Sequence, residues 1–316
     1  MDTLTRIRAF IDVVEAEGFS AAARKTGRSK ALLSKYVREL EDELGVTLFM
    51  RAGKRLTGLT EPGTSLLPII ERLLLDAENL RQVSRDFASH DAGPLSLAAT
   101  HSQARYALPS AVKDFRQLFP QVTLSLHQGS PRQVAQMLID GEADIGIATE
   151  ALDQYPQLVT LPCYSWTHCV VAPPGHPLLD GQPLTLERLA KFPLITYDGG
   201  FTGRSHIDEA FAREGLQPSI VLSAMDADVI KTYVELGMGV GVVASIAFDG
   251  DRDRNLRALD AGHLFSVNMT RLAFRKGAFL RGYVFGFIET FASPLNREVV
   301  EQAIARASDE GDAAGT

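Results

Sequence analysis

Two cysteines, one tryptophan and no long apolar run are the scarcities of this 316-residue chain. Cys163 and Cys169 are spaced too far apart for a Cys-x-x-Cys pair and sit in apolar, strand-like surroundings. That predicts structural thiols rather than a disulfide framework or a redox centre. The stretch of about 18 apolar residues that a membrane helix requires is missing. The first residues lack a secretory-type hydrophobic core, and Phe10-Ile11-Asp12-Val13-Val14-Glu15 reads as an amphipathic helix, so a cytoplasmic protein without a membrane partner is expected. The seven histidines show no His-x-x-x-His spacing, so no metal site is expected. No serine elbow is present. Gly237-Met238-Gly239-Val240-Gly241 precedes a strand-like run rather than a helix and has no following lysine, which makes it a close-packed turn and not a nucleotide loop. Asp226 and Asp228 flank one residue at a helix start, where capping outweighs a catalytic pair. These absences point away from an enzyme, with no catalytic residue and no cofactor expected.

Positive charge, by contrast, is concentrated. The chain carries a net −7, yet between residues 20 and 60 Arg24, Lys25, Arg28, Lys30, Lys35, Arg38, Arg51, Lys54 and Arg55 outnumber Glu39, Glu41, Asp42 and Glu43, a local balance of +5. A basic module on an acidic protein implies a polyanionic partner at one end only. Ser20 is a candidate cap for a helix through Ala21-Ala22-Ala23, Gly27 a left-handed stop, and Ser29 a second cap. Leu32, Leu33, Tyr36, Val37, Leu40 and Leu44 then form one helical stripe that Gly45 closes. Ser29, Lys30, Ala31, Ser34, Lys35 and Arg38 lie at the helix start or off that stripe, a mixture suited to phosphates and base edges in a major groove. Residues 49–57 read as a hairpin wing with Gly53 at its tip, whose Arg51, Lys54 and Arg55 would hold backbone phosphates. A capped surface helix with a solvated basic face is the plainer reading; two helices, a tight turn and a basic hairpin together favour double-stranded DNA.

A long helix is expected after Pro62, with Leu66, Ile70, Leu73, Ala77, Leu80, Ser84 and Phe87 at alternating spacings of four and three. Such a seam implies self-association more than packing onto its own domain. Residues 90–94 read as a linker. From residue 95 strand and helix patterns alternate, predicting parallel strands with crossover helices in two α/β lobes around a cleft. Strands are expected at 95–99, 122–127, 145–148, 165–172, 194–196, 220–222, 240–244 and 267–274, and helices at 106–119, 132–140, 186–191, 205–214, 227–236 and 279–291. The small, polar residues 308–316 read as a disordered tail.

Three loops are candidates for the cleft. Thr100-His101-Ser102-Gln103 follows a strand and opens a helix, Thr149-Glu150 ends another strand, and Gly199-Gly200-Phe201-Thr202-Gly203-Arg204 is a glycine-rich turn into a helix. Ligands gather at the carboxyl ends of strands in α/β sheets, and helix-start amides beside hydroxyls suit an anion. Ordinary helix capping is the commoner use of serine and threonine at such places. Arg105 and Arg204 are possible sources of charge.

The segments Phe19-Ser20-Ala21-Ala22-Ala23, Leu40-Glu41-Asp42-Glu43-Leu44-Gly45-Val46 and Leu59-Thr60-Glu61-Pro62-Gly63 resemble the winged helix-turn-helix of LysR-type transcriptional regulators. The segments Gln103-Ala104-Arg105-Tyr106-Ala107-Leu108-Pro109, His127-Gln128-Gly129-Ser130-Pro131 and Gly200-Phe201-Thr202-Gly203-Arg204-Ser205, with residues 148–152 and 226–234, resemble the effector domain of the CysB-like subgroup, which governs sulfur assimilation. The resemblance implies an α/β architecture: a winged helix-turn-helix over 1–60, a linker and dimerisation helix over 61–91, and a two-lobed effector domain of periplasmic-binding-protein type over 92–316. Lobe I would comprise about 92–163 and 267–292, and lobe II about 164–266. It further implies a cytoplasmic homotetramer that meets RNA polymerase at promoters and senses sulfate or an acetylserine-type effector. The subgroup's cleft positions correspond to Thr100, Ser102, Gln103, Thr149 and Thr202, with Trp166 as a neighbouring wall; Ser102 stands where the subgroup usually carries threonine. The function expected is ligand-responsive control of cysteine synthesis or sulfate and sulfonate use. The rivals are a regulator of another pathway sensing a small carboxylate, a pure solute-binding protein, and an enzyme using the cleft.

Overall fold

The computed structural model describes residues 2–52, 55–88 and 91–313, which fall into two compact units, 1–88 and 89–316. In the first, α1 (Thr3–Glu15), α2 (Phe19–Thr26) and α3 (Lys30–Leu44) precede β1 (Phe49–Ala52), β2 (Arg55–Leu59) and α4 (Glu61–Ala88). Gly27 and Gly45 adopt φ of 66° and 70°, the left-handed stops their positions predict, and Ser29 Oγ accepts the Leu32 amide at 3.2 Å. Ser20 does not cap α2. That helix starts two residues earlier, at Phe19 behind Gly18, because Glu17 (φ 52°) and Gly18 (φ 151°) make the turn before it. Phe10, Val13, Ala22, Leu33, Val37, Leu40 and Leu48 form the core. Ile70 is buried in that core, with Leu66, Leu67 and Leu74 packed beside it. The early turns of α4 therefore pack on their own unit, whereas Leu73 and Leu80 are exposed. β1 and β2 pair antiparallel; the wing tip, Gly53 and Lys54, lies outside the described residues, as does the side chain of Arg55.

The second unit holds two five-stranded sheets. β3 (Ala92–Ala99), α5 (Leu108–Leu118), β4 (Gln121–Gln128), α6 (Pro131–Ile139), β5 (Ile145–Thr149) and β6 (Leu158–Trp166) build lobe I. β7 (His168–Ala172), α7 (Leu186–Leu189), β8 (Leu194–Tyr197), α8 (Thr202–Arg213), β9 (Ile220–Ala224), α9 (Ala227–Glu235), β10 (Val240–Ala244) and β11 (Arg257–Asp260) build lobe II. The chain then returns to lobe I through β12 (Asn268–Arg275), α10 (Gly282–Phe291) and α11 (Arg297–Ala313). Strand orders are β4-β3-β5-β12-β6 and β11-β7-β10-β8-β9.

Four expectations need correction. The sheets are mixed: β12 runs antiparallel to β5 and β6, and β7 antiparallel to β10 and β11, because the chain crosses between lobes at Thr167 and again before Asn268. For the same reason the single strand expected over 165–172 is two strands in two sheets. The helix expected from 106 begins five residues earlier, with a wide π-type segment at Gln103–Ala107 leading into α5. Finally, α11 runs through much of the expected tail, burying Val300 and packing Ala303 and Ile304 on the lobe I core.

Of the glycines at 237–241, Gly237 makes the turn with φ 77°, and Gly239 and Gly241 are closely packed. A Cβ on Gly239 would stand 2.4 Å from the Pro193 carbonyl oxygen, and one on Gly241 2.7 Å from Val171. Cys163 and Cys169 are both free thiols, and burial pushes each up to about 12.

Candidate functional site

Three strands end at one place in the second unit. β3 delivers Thr100 and the helix start with Ser102 and Gln103; β5 delivers Thr149; β8 delivers Tyr197 and leads to Phe201, Thr202 and Gly203 at the start of α8. With Trp166 from the crossing, these residues line a cavity of about 30 Å³. At about 10–15 Å³ for one water, that is room for two or three waters or one small anion. Thr149 Oγ1 and Thr202 Oγ1 meet at 2.5 Å across the lobes.

The six residues expected in the cleft thus lie on one cavity wall. Arg105 and Arg204 do not. Arg204 is tied to Asp208 at 2.8 Å and to the Tyr197 carbonyl at 3.0 Å, and Arg105 points to Asp228 at 3.1 Å. Sequence reasoning missed Tyr197, although its place at the end of β8 obeys the same strand-end rule that selected Thr100 and Thr149.

The hydroxyls are not used as helix caps. Elsewhere in this protein Asp2, Ser29, Ser130, Thr185 and Asp226 accept amide hydrogen bonds at their helix starts. At the cavity, Ser102 lies within the first turn of its helix, Thr149 makes no such bond, and α8 starts behind Phe201 with no side-chain cap. First-turn amides have no intrahelical acceptor, so both helix starts present free N–H groups and positive dipole ends.

The wall is held rigidly. Gln103 is buried; its Nε2 donates to Thr270 Oγ1 at 3.1 Å and its Oε1 accepts from Tyr164. Burial pushes the Tyr164 and Tyr197 hydroxyls up to about 12, keeping both protonated. Tyr197 Oη accepts the Ala244 amide at 3.0 Å. Behind the wall, a Cβ on Gly203 would stand 3.0 Å from His168 Nε2, so any larger residue there would press on the imidazole. His168 is fully buried, and desolvation, with His206 nearby, lowers it to about 4, which keeps it neutral. Among the described residues, no lysine, arginine, aspartate or glutamate lines the cavity. A neutral donor set of this kind receives an anion through hydroxyls and amides and releases it without breaking an ion pair.

In the first unit, α3 buries Leu33, Tyr36, Val37 and Leu40 and leaves Ser29, Lys30, Ala31, Lys35 and Arg38 exposed, with Ser34 half-buried. Lys35 lies 3.8 Å from Glu39, whose carboxylate is also taken by Arg6 at 3.2 Å. Among the described residues Lys30 and Arg38 have no recorded carboxylate partner. Arg51 is not a free cation. It lies 3.3 Å from the buried Glu41, whose other oxygen accepts the amides of Leu48 (2.9 Å) and Phe49 (3.3 Å). Glu41 thereby ties the foot of the wing to α3.

A winged helix-turn-helix with a separate two-lobed, clefted unit defines a DNA-binding regulator with its own ligand-sensing domain. Residues 4–64 match the bacterial regulatory helix-turn-helix protein, lysR family, and residues 88–294 match the LysR substrate binding domain. The chain belongs to the LysR family of transcriptional regulators. It is 61% identical over 268 residues to the HTH-type transcriptional regulator SsuR of Burkholderia cenocepacia, covering 85% of this chain and 87% of that protein. It is 50% identical over 282 residues to the HTH-type transcriptional regulator cbl of Escherichia coli, covering 89% of each. The cofactor-binding domain of the Cbl transcriptional regulator superposes with a TM-score of 0.65 at 50% identity, covering 67% of this chain and 93% of that domain. Full-length OxyR from Pseudomonas aeruginosa shares the fold, with a TM-score of 0.63 at 22% identity over 93% of this chain and 97% of that one.

Proposed function

We propose that this regulator controls sulfur metabolism — cysteine synthesis or the use of sulfate and sulfonates — and senses a small anion in the cavity of its second unit. One observation carries the reading: the uncapped start of α8, the first turn of the helix that follows Thr100 and five hydroxyl side chains, from both lobes, converge on a cavity that among the described residues holds no charged side chain. Its neutral donors suit sulfate, and an acetylserine-type effector, much larger than the two or three waters the cavity holds, would require the lobes to part. The relatives SsuR, CysB and Cbl, 50–61% identical over most of the chain, support the sulfur assignment.

Calorimetric titration of the full-length protein with sulfate, O-acetylserine, N-acetylserine and a sulfonate tests it. Saturable binding of at least one is expected; a folded protein that binds none overturns the sulfur reading.

The DNA-facing surface is α3, with Ser29, Lys30, Ala31, Ser34, Lys35 and Arg38, followed by the wing with Arg51, Lys54 and Arg55. Arg38→Ala is expected to weaken operator binding and to lower the slope of log K against log salt by about 1, as loss of one phosphate contact does. An unchanged salt slope in a gel-shift series removes Arg38 from the interface. Exposed Leu73 and Leu80 on α4 support self-association, with a tetramer as the family-like assembly. In the proposed mechanism the effector binds one arrangement of the lobes better than the other; equal affinity would shift nothing. The assembly then alters the DNA it holds and its contact with RNA polymerase, in the cytoplasm.

A further inference from the structure

The lobes also meet one helical turn away from the cavity. From lobe I, the helix start that carries Ser102 and Gln103 also carries His101, Arg105 and Tyr106. From lobe II, α9 presents Asp226, Asp228 and Lys231. Tyr106 Oη donates to Asp228 Oδ1 at 2.6 Å, Arg105 Nε lies 3.1 Å from Asp228 Oδ2, and Lys231 Nζ lies 3.3 Å from Oδ1. His101 Nε2 lies 3.5 Å from Asp228 Oδ2 and 3.9 Å from Asp226 Oδ1. Its other nitrogen is 3.0 Å from Gln128 Oε1 at the end of β4, which turns Nε2 toward the carboxylates.

The two aspartates do different things. Asp226 caps α9 by accepting the Val229 amide at 2.8 Å, the use its position predicts. Asp228 instead reaches across to lobe I. Lys231, buried behind it, is fixed by Asp253 at 2.9 Å and the Ala247 carbonyl at 2.9 Å, so the lobe II side of the contact is rigid. Partial burial pushes the Asp228 carboxyl up, but the Tyr106 hydrogen bond and the charges of Lys231 and Arg105 hold it below the usual carboxylate range. His101, Asp226 and Asp228 are close enough to share a metal ion, but the oxygens of Asp228 already face Arg105 and Lys231, which supply the positive charge an ion would bring.

We propose that Asp228 is a positioning residue of the effector cavity: it clamps the lobe I helix start to lobe II, so that release of the effector requires this ionic latch to open. The proposal rests on the cavity being the effector site. Ser102 and Gln103 lie between His101 and Arg105 on the clamped turn, so their distance from Thr202 and Gly203 is set by the same contact.

Hydrogen exchange on the ligand-free, full-length protein tests the clamp without any ligand. Asp228→Asn is expected to speed amide exchange several-fold in residues 100–107, on the opposite lobe, while the buried β10 strand at 240–244 stays protected. A purely local role in α9 leaves 100–107 unchanged, and that result overturns the proposal. Asp228→Glu should restore most of the protection. Should Asp228→Asn fail to fold, Arg105→Gln removes one exposed partner from the other side, and faster exchange in residues 226–231 is the expected result; unchanged exchange there overturns the clamp. Trp166, the chain's single tryptophan and part of the cavity wall, reports ligand exchange by stopped-flow fluorescence. With sulfate as the probe, the release rate should rise several-fold in Asp228→Asn and the association rate change less; equal release rates overturn the coupling to the cavity. A wild-type protein that ignores sulfate while Asp228→Asn loosens 100–107 removes the ligand assignment and leaves the clamp standing.

Discussion

Thr202→Ala is expected to weaken effector binding by roughly 10- to 150-fold, the loss that follows removal of one hydrogen bond worth about 1.5–3 kcal/mol to a charged group. The effect is large because the cavity holds no side-chain cation to share the work. Thr202 contributes twice, through its hydroxyl and through its place at the uncapped start of α8, and only the hydroxyl is lost in alanine. The contact with Thr149 at 2.5 Å also disappears, so the lobes lose a direct bridge. Thr202→Ser keeps the hydroxyl and should bind within a few-fold of wild type. Calorimetry with sulfate reads the affinity, and operator binding without effector should be unchanged because α3 belongs to the other unit. Wild-type affinity in the alanine variant removes Thr202 from the site; loss of DNA binding in a folded variant contradicts the division of labour.

The second large effect belongs to Glu41. Its carboxylate is nearly inaccessible, at 7% exposure, and serves the amides of Leu48 and Phe49 together with Arg51. In Glu41→Ala those two buried amides lose their acceptor, at about 1–3 kcal/mol for each unsatisfied group. Against a domain stability of about 5–15 kcal/mol, the first unit should lose a substantial part of its reserve and the wing its attachment to α3. Urea unfolding should show an earlier transition for this unit, and DNA affinity should fall with it. Glu41→Gln retains one oxygen for the amides and loses only the charge facing Arg51, so it should be milder. A midpoint unchanged in Glu41→Ala would show that water or the chain itself satisfies the amides.

Much of the first unit was legible because its signals are local. Gly27, Ser29 and Gly45 act within one turn of the helix ends they set, and the stripe from Leu33 to Leu40 repeats within a single helix. The start of α2 was not, since Ser20 and Gly18 are both acceptable caps, and the backbone at Glu17 and Gly18 decides between them. The tie between Arg51 and Glu41 was not legible, because the carboxylate is ten residues away on another element, beyond any helical spacing. The tail expected over 308–316 is in large part the end of α11, because Val300, Ala303 and Ile304, ahead of it in the chain, pack that helix on the lobe I core. The return of β12 to lobe I, antiparallel to β5 and β6, depends on pairing over more than a hundred residues, which no periodicity records.

The sequence by itself determined a basic helix-turn-helix ahead of an α/β region, and hydroxyl-rich strand ends fit to receive an anion. These follow from residue type and short spacing. Tertiary structure alone decided that Thr100, Thr149 and Thr202 share one small cavity, that Tyr197 completes it, and that Asp228 serves the opposite lobe while Asp226 caps its own helix. Those outcomes depend on how two sheets close against each other, and the positions that meet, Thr149 with Thr202 and Tyr106 with Asp228, are 53 and 122 residues apart in the chain.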